Sequence, residues 1–129
     1  LLQETYYYFV HRWMHRPNIY KTIHHVHHSS LTPSPWGAFA FHPVEAFLMA
    51  VIIPIILMVI PMHYFAFLIY LLVMTFSIVI NHLNVEIYPK WFMGSKLGNW
   101  FIGATHHTVH HTEFRKNYGL YFTFWDRWL

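Results

Sequence analysis

From residue 46 to residue 85 the chain carries no Asp, Glu, Lys or Arg. Within this stretch lie two apolar runs, 46–60 and 64–80, divided by Pro61-Met62-His63. As helices, rising ~1.5 Å per residue, they cover ~22–26 Å each, a little under the ~30 Å hydrocarbon thickness of a bilayer. Pro43 is tolerated at the first helical position and lengthens the first run, which Pro54 is expected to kink. A three-residue turn makes the pair an antiparallel hairpin that enters and leaves by the same face. A buried soluble hairpin is the alternative, and so long a stretch without charge argues against it. The expectation is an all-α, integral membrane helical domain.

Composition points the same way. Only 10% of residues are charged, against ~25% in an average soluble domain. All eight Lys and Arg (Arg12, Arg16, Lys21, Lys90, Lys96, Arg115, Lys116, Arg127) lie outside the hairpin and therefore on one side of it. By the positive-inside rule that side is the cytoplasm. The net charge of +3 is scattered singly, which suits anionic lipid headgroups and speaks against nucleic acid as a partner. The length suits one domain, residues 1–129.

The second dominant feature is a set of histidine clusters: His11/His15, then His24-His25-Val26-His27-His28, a lone His82, and His106-His107-Thr108-Val109-His110-His111. On a helix, positions i and i+4 lie about 40° apart, with i+3 about 60° to the other side. His24, His27 and His28 thus fall within roughly 100° of one helical face, and His107, His110 and His111 repeat the spacing. Three helical segments aiming imidazoles one way describe a metal centre. Eight or nine nitrogens exceed the four ligands of a tetrahedral ion or the six of an octahedral one, so two metals are expected. There is no cysteine, which excludes thiolate zinc and iron–sulfur sites; imidazole suits Zn, Cu, Fe or Ni. His63, at the far turn of the hairpin and roughly 25 Å away, is not expected to be a ligand. His82, just past the second run, returns to the cluster side.

Local signals complete the reading. Residues 1–15 look helical, and Arg16-Pro17-Asn18 breaks that helix. Residues 19–30 form a short helix, 31–37 a Pro/Ser loop, 83–105 an interfacial loop with a short amphipathic helix, and 106–111 the last histidine helix. Trp36, Phe39, Phe41 and Phe101 are candidates for the wall of a lipid channel, with core packing the ordinary alternative. Glu45, Glu86, Glu113 and Asp126 are candidate acceptors for ligand N–H groups, Asp126 foremost.

The ordered combination His11-Arg-x-x-His15, Tyr20-Lys21-x-x-His24-x-x-His27-His28, Thr32-Pro33-x-Pro35-Trp36, Phe41-His42-Pro43-Val44-Glu45, Asn81-His82, His106-His107-x-x-His110-His111 and Asn117-Tyr118-Gly119…Trp125-Asp126-Arg127 resembles the fatty acid hydroxylase/sterol desaturase superfamily. The likeness is to its sterol desaturase branch, bacterial members especially, and covers nearly the whole chain. The resemblance implies a cytoplasmic histidine-rich cap holding two Fe ions, with Zn as a substitute in purified protein. Implied ligands are His11, His15, His24, His27, His28, His82, His107, His110 and His111, with His25 and His106 as supporting or alternate residues. His107, His110, His111 and Asp126 are the implied catalytic residues. The implied reaction is O₂-dependent hydroxylation or desaturation of a lipid of the sterol, carotenoid or fatty-acyl class. Electrons would come from a small cytochrome or ferredoxin with its reductase. Further membrane helices upstream and a Gly-containing tail are expected in the full protein. Two rivals stand beside this reading. A zinc-dependent membrane hydrolase needs a general base at an open metal position, and no Glu lies inside a histidine cluster. A metal transport or storage protein would carry its ligands near mid-bilayer.

Overall fold

The first helix, α1 (Leu2–Met14), has its polarity reversed. Gln3, Glu4 and His11 on it are buried, while Leu2, Phe9 and Trp13 face outward. The computed structural model describes all 129 residues, and the reversal runs through it. Buried polar side chains number thirteen against nine buried hydrophobic ones, the opposite of a water-soluble core. Large apolar side chains cover the outside of the hairpin instead.

Pro17 stops α1 and opens α2 (Pro17–Ile19), since proline needs no helical N–H at a first position. The chain then widens into a π-turn, Tyr20–His24, and tightens into a 3₁₀ turn, His27–Ser29. The sequence predicts an ordinary helix over 19–30; the wide turn instead re-aims its histidines, a common use of such turns.

The hairpin forms as α3 (Pro43–Ala50) and α4 (Ile52–Val59) in one arm and α5 (Tyr64–Asn81) in the other. The first arm breaks at Val51, not at Pro54 itself. Pro54 has no N–H for the carbonyl of Ala50, so the discontinuity falls a turn earlier. His42 and His63 each cap a helix, accepting from the backbone N–H of Val44 and Phe65. With 18 residues, α5 is the one helix long and apolar enough to cross a membrane; the 43–59 arm is shorter.

After α5 come a short α6 (Lys90–Met93) and α7 (Ala104–Glu113). There are no strands, only one isolated bridge between Phe101 and Phe122. The tail, for which the sequence gives only an aromatic character, forms a loop and α8 (Phe124–Trp128). α1 packs against α4, and α5 against α7. The Tyr6 hydroxyl donates to the Leu48 carbonyl at 2.7 Å and ties α1 to α3.

Two carboxylates clamp the tail loop. Glu4, fully buried, accepts from the backbone N–H of Leu120, Tyr121 and Phe122 at 3.1, 2.9 and 3.4 Å. Asp126 accepts from Tyr118 and Gly119 at 2.8 and 3.1 Å. Burial raises both carboxyls above their usual range, and the donated N–H groups pull them back. Gly119 has to be glycine: a Cβ there would stand 2.4 Å from the Phe122 carbonyl oxygen and 2.9 Å from Glu4. Replacing Glu4 with Ala strands three N–H donors, at a cost of about 2–4 kcal/mol. Thermal unfolding should show Glu4→Ala well below the wild type, and an unchanged midpoint would mean that the clamp carries no stability.

Candidate metal centre

Nine histidines from five segments meet at the hairpin's open end. His11, His15, His24, His28 and His110 form one group, and His27, His82, His107 and His111 another; within each, one ring nitrogen per residue lies within 4.8 Å of all the others. The groups adjoin, with the His28 and His111 rings 4.3 Å apart. His11 and His15 come from successive turns of α1, and His82 caps the end of α5. The wide turn and the 3₁₀ turn supply His24, His27 and His28, and α7 the remaining three.

The two triplets do not each serve one centre, as their shared helical faces suggest. His27 parts from His24 and His28, and His110 from His107 and His111. Adjacent helical residues point about 100° apart, so His110 and His111 reach different groups. α7 is a shared wall between the two.

Five of the nine rings are aimed through Nδ1. His11 donates to the Tyr118 carbonyl (2.9 Å), His82 to Ile78 (2.8 Å), His110 to Lys116 (2.8 Å) and His111 to Ser30 (3.2 Å), while His24 donates to Glu45 Oε1 at 2.8 Å. A carbonyl oxygen only accepts, so each of these rings keeps its proton on Nδ1 and turns a bare Nε2 inward. Glu45 is the one acid that touches an imidazole. Asp126 holds backbone instead, because α8 lies beyond the loop it grips. Glu86 accepts from the N–H of Tyr88 and Thr105, at the start of α7, and Glu113 pairs with Lys116 on the surface. Glu4, which no histidine spacing signals, joins Asp126 in fixing the loop whose carbonyls orient His11 and His110.

The inward nitrogens stand Nε2 to Nε2 at 3.1 Å for His15–His110 and His15–His24, 3.2 Å for His28–His110, 3.0 Å for His82–His107, 3.2 Å for His107–His111 and 3.3 Å for His27–His82. Hydrogen bonds cannot satisfy this set. With His15, His28, His27 and His107 donating through Nε2 to His24, His110, His82 and His111, Nε2 of His11 and Nδ1 of His27, His28 and His107 remain buried with no partner. Nitrogens about 2.1 Å from a common ion are about 3.0 Å apart at octahedral angles and about 3.4 Å at tetrahedral ones. The residues fit a metal in each group.

Burial, reinforced by the neighbouring rings, holds the imidazoles neutral. His11, His27 and His107 lie well below the ordinary histidine value, His15 is lowered to about 2, His110 to about 3 and His111 to about 4. A neutral imidazole is the ligating form.

A family model described as fatty acid hydroxylase matches residues 1–129. The chain belongs to the fatty acid hydroxylase family. It is 35% identical over 120 residues to the Delta(7)-sterol 5(6)-desaturase of Saccharomyces cerevisiae, covering 93% of this chain and 31% of that protein. It is 36% identical over 121 residues to lathosterol oxidase of Homo sapiens and 39% identical over 121 to that of Rattus norvegicus, covering 93% of this chain and 38% of each. The chain thus spans about a third of the length of these relatives. No solved structure matches it.

The chain's other histidines stand apart from the groups. His25 is exposed, and His106 accepts from the Gly103 N–H at 3.3 Å. His63 lies at the exposed far turn. Beside the four-histidine group an apolar cavity of about 250 Å³ runs between α1 and the two hairpin arms, with His27, His82 and His107 at its end. Phe39 and Phe41 line it, as expected of channel residues, and Phe41 packs on the His27 ring at 5.1 Å. Trp36 is 94% exposed, and Phe101 lines a different cavity, so neither walls this one.

Because their folded pKa values are depressed, the imidazoles of His15, His110 and His111 bind fewer protons in the folded chain than in the unfolded one between pH about 6.5 and 4. Metal-free protein should therefore lose stability steadily as pH falls from about 6.5 toward 4. Melting midpoints that stay flat over this range would contradict neutral buried imidazoles. Metal analysis supplies a second check: His107→Ala should lower bound metal, and His63→Ala should leave it at the wild-type level.

Proposed function

We propose that this chain is the core of a membrane-bound di-iron oxidoreductase that uses O₂ and external electrons to desaturate or hydroxylate a lipid. The observation that carries this reading is the adjoining pair of imidazole groups, one of which opens on an apolar cavity. Iron held there would supply O₂ activation and cleavage of an unactivated C–H bond. His11, His15, His24, His28 and His110 would hold one ion, and His27, His82, His107 and His111 the other. With five and four nitrogens, the second group would hold its ion with fewer ligands, and the cavity that ends at His27, His82 and His107 supports a substrate beside it.

The protein's own part is orientation and exclusion. Carbonyls and Glu45 fix the rings, while Phe39, Phe41, Met49, Ile53 and Met74 keep water from the cavity and admit a hydrocarbon. Asp126 acts through the backbone loop that holds His11. The names of the relatives, a sterol desaturase and lathosterol oxidases, favour a sterol-like lipid and desaturation. Electrons would come from a small cytochrome or ferredoxin with its reductase.

Membrane insertion of the α3–α5 hairpin is supported by the length of α5 and by its outward-facing apolar side chains. The exclusion of all eight Lys and Arg from the hairpin supports a cytoplasmic position for the histidines. A hydrolytic zinc site is disfavoured, since no Asp or Glu lines the cavity to act as base. A transport role is disfavoured because His82 follows α5 and no candidate ligand lies within the hairpin helices.

The full-length protein, reconstituted with iron and an electron donor, should consume O₂ only when a lipid substrate is present. Mass spectrometry should find that lipid lighter by two hydrogens or heavier by one oxygen. His107→Ala should reduce turnover by at least a hundredfold. Lipid hydrolysis, or metal flux in vesicles without O₂ uptake, would overturn the proposal.

A further inference from the structure

A second apolar cavity, about 540 Å³, lies between α4 and α5 on the side away from the histidines. It shares three lining residues with the inner one: Gln3, Asn81 and Leu120. These residues are the wall between the two spaces. Binding cavities for drug-sized ligands typically measure ~300–1,000 Å³; the inner cavity alone falls below this range, and the two together fall inside it. A lipid that brings a carbon to His82 and His107 therefore has this wall along its length.

Two of the three wall residues carry amides. Apart from Tyr7 and the three histidines, Gln3 and Asn81 are the only polar side chains lining the inner cavity. They are 8% and 3% exposed. Each amide is half used. Gln3 Oε1 accepts from the Tyr121 hydroxyl at 2.9 Å, and Asn81 Nδ2 donates to the Leu120 carbonyl at 2.8 Å. The protein gives no hydrogen bond to the other half of either amide. Those halves are opposite in character, an NH₂ donor on Gln3 and a carbonyl acceptor on Asn81. Neither free half is fully buried: each reaches accessible space at residues that line both cavities, where a ligand can complete it.

We propose that Gln3 and Asn81 form a hydroxyl-reading site, which selects a lipid alcohol and sets its register against the histidines. A hydroxyl group both accepts and donates, so it satisfies both amides at once; a ketone satisfies only Gln3, and a hydrocarbon neither. The site adjoins the metal centre in sequence as well as in space, since Asn81 precedes His82. A lipid held here by its hydroxyl presents carbons close to that hydroxyl, not its far end, to His27, His82 and His107. This rests on the lipid-oxidation reading, but it concerns binding, which is measurable without turnover.

The test uses full-length protein in nanodiscs, loaded with zinc so that no redox turnover occurs. Tryptophan fluorescence quenching would measure affinity for lathosterol and its 3-deoxy analogue, and for hexadecan-1-ol and hexadecane. At least one alcohol should bind about tenfold or more tightly than its hydroxyl-free partner, as expected for one or two hydrogen bonds in an apolar site. Gln3→Met, close in shape, should bring that ratio toward one, and Asn81→Leu should do the same. Because each ratio is taken within one variant, a loss of folded protein lowers both affinities and leaves the ratio unchanged. Equal binding of alcohol and hydrocarbon in the wild type, or an undiminished ratio in both variants, overturns the proposal, as does failure of both alcohols to bind. Loss of turnover in the iron-loaded protein with alcohol selectivity intact would count against the oxidase reading and leave this site standing.

Discussion

The structure depends on nine imidazoles that face inward, eight of them buried and His15 half-buried. Desolvation penalises the charged form of His11, His15, His27, His28, His107, His110 and His111, and their neighbouring rings add to the penalty. The protein meets the remaining polarity by giving Nδ1 of five rings a fixed acceptor. The Nε2 atoms then converge, and hydrogen bonds among the rings still leave Nε2 of His11 and Nδ1 of His27, His28 and His107 buried without a partner. A cation in each group would relieve the convergence, so the fold and the candidate metal centre are one design problem.

That requirement explains features that otherwise look unrelated. The tail loop, gripped by Glu4 on one side and Asp126 on the other, exists to place the carbonyls of Lys116 and Tyr118 under His110 and His11. Gly119 allows the loop to lie close to Glu4. Gly103 does the same at the start of α7, where a Cβ would meet the Glu86 carboxylate at 2.5 Å. His27 parts from His24 and His28 just as His110 parts from His107 and His111, so the π-turn segment and the regular helix α7 divide their rings in the same pattern.

Polarity is also inverted at the scale of the whole molecule. The inside holds histidines, two buried glutamates and two amides, and the outside of the hairpin is apolar. In water such an arrangement exposes its greasiest helix; in a bilayer the outward side chains of α5 are at home. The inner cavity, between the hairpin arms and α1, reaches the polar centre at His27, His82 and His107.

Much of this was legible in the sequence. The uncharged stretch, interrupted once by Pro61, dictated a helical hairpin, because helices satisfy their own backbone and length sets their reach. Histidines at spacings of three and four dictated helices with imidazole faces, since those intervals are the turns of the helix. The tertiary structure alone decided which ring joined which group, because adjacent residues differ in direction by about 100° and only packing says what lies on either side. It alone chose Glu45 over Asp126 as the acid on an imidazole, because a carboxylate's partner is set by distances between elements remote in the chain. Glu4 and the half-used amides of Gln3 and Asn81 carried no local signal at all, for their meaning lies in what other segments leave unpaired.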